Sequence, residues 1–114
     1  MLVLVYGTLK KGFKNHDLLN GQFISNVKTK EKYSMFKYKD YDFPYVCEIP
    51  MHHINGELYD INNLKDLDIL EGYPDFYTRK IIKVIDDNNE YEAYIYILNE
   101  KIKHIGENFK EWRN

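Results

Sequence analysis

The chain has 114 residues, 44% hydrophobic and 30% charged, which fits one domain spanning 1–114 and excludes a two-domain enzyme with a cleft between its halves. Sixteen basic against eighteen acidic residues leave a net charge of −2, which argues against a basic nucleic-acid module. One cysteine, Cys47, cannot form an internal disulfide, the apolar run Met1–Val5 is too short for a signal sequence, and no stretch approaches the ~20 apolar residues of a membrane span, so a complete chain in the reducing cytoplasm is expected.

Leu2-Val3-Leu4-Val5-Tyr6 is apolar at successive positions, the pattern of a strand buried on both faces, and Gly7 ends it. Gly7 to Asn15 reads as a loop, and His16 to Leu19 as one helical turn stopped near Gly21. Strands follow at Gln22–Thr29 and Lys32–Lys39, the second alternating through Tyr33, Met35 or Phe36, and Tyr38. Phe43–Glu48 contains a proline, which predicts an edge or irregular strand. Ile54–Ile61 alternates again. Asn62 or Asn63 can cap a helix in which Leu64, Leu67 and Leu70 recur at helical spacing, and Gly72-Tyr73-Pro74 stops it. Thr78–Ile85 and Tyr91–Leu98 form a hairpin across the turn cluster Asp86-Asp87-Asn88-Asn89. Ile102, Ile105, Phe109 and Trp112 are available to dock the polar tail on the core. Sequential strands with one helix give an α+β fold, a small, mainly antiparallel β-barrel.

Several constellations invite chemistry. Gly7 and Gly12 have the spacing of a phosphate loop, but Phe13-Lys14 stands where that loop needs Lys-Ser/Thr, so nucleotide binding is set aside. A glycine at the end of a buried strand can still turn backbone N–H groups toward a carboxylate or an oxyanion, or simply make a tight turn. Glu71 shares the i, i+3, i+7 face of Leu64 and Leu67, the face that must be buried. Burial and the negative end of the helix both raise the pKa of a carboxylate there, as a general base or acid near neutral pH requires. Its structural alternative is a carboxylate paired with Arg79 or Lys80 or bonded to a tyrosine. Asp68 is a weaker candidate, expected to be solvated. His16, His52, His53 and His104 lack metal-site spacing, so no metal is expected. Cys47 reads as a small buried residue. Tyr33, Phe36 and Tyr38 alternate with lysines between Lys28 and Lys39, as on a single-strand-binding face, but the net charge favours a solvated strand; no nucleic-acid or membrane partner is expected.

Val5-Tyr6-Gly7-Thr8-Leu9-Lys10-Lys11-Gly12 with Asn15-His16, then Gly56-Glu57-Leu58-Tyr59, then Leu67-Asp68-Ile69-Leu70-Glu71-Gly72-Tyr73-Pro74 with Tyr77 and Arg79, together resemble the γ-glutamylcyclotransferase-like, or AIG2-like, family, and within it the γ-glutamylamine cyclotransferase branch. The resemblance implies a small mixed barrel and a cofactor-independent enzyme that cyclises the γ-glutamyl group of a small-molecule amine or amino acid derivative to 5-oxoproline. It implies Glu71 as general base and acid, and substrate binding by Tyr6, Gly7, Thr8, Leu9 and Tyr77. Arg79 matches a recurring family position and can equally be structural, pairing with Glu71 or Glu57. Tyr94 and Tyr96, two apart, share one strand face and read more readily as barrel wall with satisfied hydroxyls than as cavity lining. The eleven tyrosines are thus divided: Tyr6, Tyr73 and Tyr77 fall in or beside the site, while Tyr33, Tyr38, Tyr41, Tyr45, Tyr59 and Tyr91 reflect codon bias as readily as function. Two other function classes fit the sequence: a non-catalytic binding protein for a small carboxylated metabolite, and an interaction module using the aromatic strand face.

Overall fold

Strand β1 (Leu2–Val5) lies at the centre of the molecule in a computed structural model that describes residues 1–7, 9–13, 16–37, 43–98, 108–109 and 111–112. Thr8, Asn15, Tyr38, Tyr41, Ile102, His104 and Ile105 lie outside them. β1 pairs antiparallel with β5 (Asn55–Ile61) and, through Val3 opposite Tyr94, parallel with β7 (Glu90–Leu98). β2 (Gly21–Thr29) joins β5 to β6 (Tyr77–Ile85), and β6 pairs with β7 along its whole length. Among the described residues, these strands close a five-stranded barrel in the order β1-β5-β2-β6-β7. A second sheet has β3 (Tyr33–Lys37) between β4 (Pro44–His52) and β8 (Asn108–Phe109).

This is the mainly antiparallel α+β barrel that the sequence predicts, with one α-helix among the described residues. β1 is buried on both faces because it serves two cores. Leu4 and Tyr6 join Val27, Leu58, Val84 and Ile95, a cluster to which all five barrel strands or their immediate ends contribute. Val3 and Val5 join Tyr59, Ile61, Tyr96 and Leu98 beneath Leu64 and Leu67. β4 is the edge strand its proline suggests. It is longer than Phe43–Glu48, reaching His52, and its register against β3 jumps between Tyr33↔His52 and Ser34↔Cys47. Cys47 is buried, and burial pushes its thiol pKa up. The β6–β7 turn is held by the Asp86 carboxylate, which accepts the N–H groups of Asn88 and Asn89. At the tail, Trp112 is buried and its carbonyl accepts a 2.7 Å hydrogen bond from Lys10 Nζ.

The one α-helix among the described residues, α1 (Lys65–Glu71), is seven residues long, too short to be stable without packing. Leu64 and Leu67 bury their side chains. Leu70, expected with them by spacing, is instead 38% exposed. Asn63 Oδ1 accepts the Lys65 N–H at 3.0 Å, so Asn63 does the capping, although the residue at the helix boundary is Leu64. The stop works through Gly72, whose φ of 65° places it in the left-handed region. Its N–H donates to the Ile69 carbonyl and that of Tyr73 to the Asp68 carbonyl, satisfying two carbonyls the helix would otherwise orphan.

Candidate active site

A cavity of about 220 Å³ opens between the end of β1, the start of β4, the last turn of α1 and the facing stretches of β6 and β7. Tyr6, Gly7, Leu9, Glu71 and Tyr77 all line it. Of the residues assigned to the site from sequence, Thr8 alone falls outside the described residues. Segments distant in the chain supply the remainder: Leu4, Val5, Phe43, Pro44, Leu70, Phe76 and Tyr96. A wider groove of about 920 Å³ runs along β2 and the Asp86–Asn88 turn, but it lies open and shares no lining residue with this cavity.

Glu71 is the one charged side chain lining the cavity among the described residues. It is part-buried, and burial raises its pKa from 4.5 to about 7. No hydrogen bond or ion pair engages it among the described residues, so the alternative of a carboxylate paired with Arg79 or Lys80 does not occur: Arg79 binds Asp68 and Lys80 binds Glu48. Among the described residues, no other charged side chain in the wall competes for the proton this carboxylate can hold.

The tyrosine hydroxyls face the opposite situation. Tyr6 donates to the Tyr96 carbonyl at 2.8 Å, Tyr77 to the Pro44 carbonyl at 2.8 Å, and Tyr96 to Asp68 Oδ1 at 2.7 Å. Burial raises the Tyr6 and Tyr96 pKa values, and the Glu71 carboxylate nearby raises them further. The hydroxyls of Tyr6, Tyr77 and Tyr96 thus direct their protons into the wall. The side chains lining the cavity thus offer hydrogen-bond acceptors and a proton-accepting carboxylate, which suits a group rich in N–H bonds.

Two networks hold these groups in place. In the first, Arg79 makes a two-pronged contact with Asp68, 2.9 Å from Nε to Oδ1 and 3.2 Å from Nη2 to Oδ2. Its guanidinium also stacks on Tyr73, 4.3 Å from the ring centre, with Tyr94 at 5.6 Å. This corrects two expectations: Asp68 is not solvated, and the partner of Arg79 is neither Glu71 nor Glu57. Tyr73 is 37% exposed and belongs to this stack rather than to the cavity lining. Tyr96 is both wall and lining, with its hydroxyl satisfied by Asp68. Nothing in the local sequence separates Asp68 from a solvated helix residue, because its partners come from β6 and β7.

In the second network, the loop after β1 is pinned from below. Glu57 Oε1 accepts the Lys11 N–H and the Tyr59 hydroxyl, both at 2.9 Å. His16 Nδ1 lies 2.9 Å from the Leu9 carbonyl, a bond made in the Nδ1-protonated tautomer, and the imidazole packs 5.9 Å from the Tyr59 ring. Gly7 is required by space, since a Cβ there would lie 2.8 Å from Pro44 Cγ. This approach brings β4 against the end of β1 and closes one side of the cavity.

Residues 3–114 match the family described as gamma-glutamyl cyclotransferase, AIG2-like. A Methanocaldococcus jannaschii protein provisionally named gamma-glutamylcyclotransferase is 43% identical, with 97% of each chain covered. Gamma-glutamylaminecyclotransferase A of Danio rerio is 37% identical over 82% of this chain and 66% of its own. Among solved structures, an AIG2-like protein from Mus musculus superposes with a TM-score of 0.89 at 22% identity, covering 98% of this chain and 87% of its own. That likeness concerns the fold. No helix among the described residues is long and apolar enough to cross a membrane.

Proposed function

We propose a reaction for this cavity from one premise: the chain belongs to the AIG2-like gamma-glutamyl cyclotransferase family and is an enzyme of that family. The substrate is a small γ-glutamyl amine or amino acid, and the products are 5-oxoproline and the released amine. The observation that carries this reading is Glu71, a shielded carboxylate with no competing partner among the described residues and a pKa raised to about 7, in the same cavity as the Gly7 and Leu9 loop.

The steps follow from what each group can do. The substrate's α-ammonium enters among acceptors, with the tyrosine oxygens and Glu71 around it. Glu71 takes one proton, leaving a neutral amine whose lone pair attacks the γ-carbonyl carbon. A C–N bond closes the five-membered ring, and the carbonyl oxygen takes up negative charge, which backbone N–H groups of the loop after β1 can meet. Collapse breaks the original amide C–N bond. The nucleophilic nitrogen gives up two protons in all, the departing amine gains two, and Glu71 returns to its starting state after relaying them. Because nucleophile and electrophile belong to one molecule, the protein's share is to fold the substrate and move protons, which a small cavity with one carboxylate can do.

The test is product analysis after incubation with a γ-glutamyl amide. Cyclisation releases 5-oxoproline and amine in equal amounts. Free glutamate in place of 5-oxoproline would mean hydrolysis by water and would contradict the reading.

A further inference from the structure

The loop after β1 has two sides. Gly7 and Leu9 line the cavity, while the same backbone is bonded to two side chains outside the lining, Glu57 and His16. In the proposed reaction N–H groups of this loop meet the γ-carbonyl oxygen, so whatever fixes the loop backbone also aims those groups.

A trans peptide unit is planar and points its C=O and N–H in opposite directions, and two successive units of the loop are held at both ends. The unit joining Leu9 to Lys10 accepts from His16 Nδ1 at its carbonyl, 2.9 Å away, and donates its N–H to the Gly7 carbonyl at 3.0 Å. The unit joining Lys10 to Lys11 accepts the Phe13 N–H at 3.0 Å and donates to Glu57 Oε1 at 2.9 Å. Neither plane can turn without breaking two hydrogen bonds. The Leu9 N–H is attached to the α-carbon from which the first of these units starts, one step from the clamp.

The two side-chain anchors form one assembly. Glu57 and Tyr59 are two apart on β5 and share a face, and Glu57 Oε1 also accepts the Tyr59 hydroxyl at 2.9 Å. Burial raises the Tyr59 pKa and the Glu57 carboxylate raises it further, which keeps this phenol a donor. The buried Tyr59 ring packs 5.9 Å from the His16 imidazole and edge-on to Phe23 at 5.6 Å. β5 is paired with β1 on one edge and with β2 on the other, so the carboxylate stands on a rigid element of the barrel.

We propose that Glu57, with His16 as its counterpart on the neighbouring peptide unit, is a positioning residue for cyclisation: from outside the cavity it orients the loop backbone that receives the developing oxyanion. This inference rests on the cyclisation reading given above and deepens it by naming what holds the loop. Donors aimed at charge that develops only in the transition state act on the chemical step more than on substrate binding. Loosening the clamp should therefore lower kcat and leave KM nearly alone.

Steady-state release of 5-oxoproline from a γ-glutamyl amide, together with amide hydrogen exchange of the loop, provides the test. Glu57→Ala should lower kcat by about ten- to a hundredfold with KM changed less than about threefold. It should also speed exchange of the Lys11 amide and leave the pH midpoint of about 7 expected for Glu71 in place. Glu57→Gln keeps an oxygen that can accept the same N–H and should recover kcat to within about threefold of the wild type. His16→Ala should lower kcat by about tenfold, and the double variant should lose less than the product of the two single losses, because both release the same stretch of backbone. Wild-type kcat in a Glu57→Ala protein, unchanged Lys11 exchange, a loss carried by KM alone, or a Glu57→Gln protein as slow as Glu57→Ala would each overturn the positioning role while leaving cyclisation intact. If Glu57→Ala does not fold, Tyr59→Phe removes only the hydroxyl that orients the carboxylate and should lower kcat by about threefold or more, an unchanged kcat again overturning the role. Failure of the wild type to form 5-oxoproline from any γ-glutamyl compound would overturn the cyclisation reading itself, and the positioning role with it.

Discussion

At the scale of single residues, Glu71 combines a structural cost with the chemical use proposed for it. Burial lifts its pKa from 4.5 to about 7, so the folded protein holds this proton to higher pH than the unfolded chain does. The sign follows: wild-type stability falls as pH rises from about 4.5 to about 7, by up to about 3 kcal/mol. Glu71→Gln carries no charge to desolvate. Its melting temperature should match the wild type near pH 4 and exceed it at pH 8; equal melting at both pH values would show that the carboxylate is not buried at a cost. Gly7 makes a second residue-scale prediction. With Pro44 Cγ 2.8 Å from the missing Cβ, Gly7→Ala must displace the loop or β4, and kcat/KM should fall by about tenfold or more even where the protein still folds. Glu71 was legible in the sequence because its i+7 spacing from Leu64 fixes its face. Gly7 was legible as a turn, but its close contact with Pro44 was not, since that contact joins positions far apart in the chain.

At the scale of elements, a seven-residue helix carries the proposed base, and such a helix holds its place through packing rather than intrinsic stability. Leu64 and Leu67 anchor one side. The Asp68–Arg79 pair fixes the other to β6, and the Tyr96 hydroxyl ties the same carboxylate to β7. In the proposed mechanism Arg79 is a positioning residue that acts through Asp68. Arg79→Met should lower kcat/KM by roughly ten- to a hundredfold with the circular dichroism spectrum preserved. Arg79→Lys, which keeps the charge but loses the two-pronged geometry, should fall between the two. Wild-type activity in Arg79→Met would show that the helix needs no such clamp. The strands and the helix were readable from alternation and spacing. The length of β4 was not, because the register jump before Ser34 is set by pairing with β3. Nor was the exposure of Leu70, whose helical spacing suits the core but which sits at the cavity mouth.

At the scale of the whole molecule, barrel closure builds the site. The parallel contact of β1 with β7 puts Tyr6 beside Tyr96, ninety positions away, and their hydrogen bond joins the two ends of the sheet at the cavity wall. The tail contributes as well, since the Trp112 carbonyl receives Lys10 from the loop that follows β1. Motif spacing conveyed the family and the barrel, whereas the partners of Asp68 and the contribution of Pro44 and Phe76 exist only once the barrel has closed. The central claim is that Glu71 moves the proton in cyclisation, and the pH dependence of 5-oxoproline release by wild type and Glu71→Gln tests it most directly. The wild-type kcat/KM should rise with pH through a midpoint of about 7, with ionisation of the substrate's α-ammonium acting only at higher pH. In Glu71→Gln that limb should vanish and kcat/KM should drop by about a hundred- to ten-thousandfold. A folded Glu71→Gln protein that turns over at the wild-type rate, or keeps the same acid limb, would contradict it.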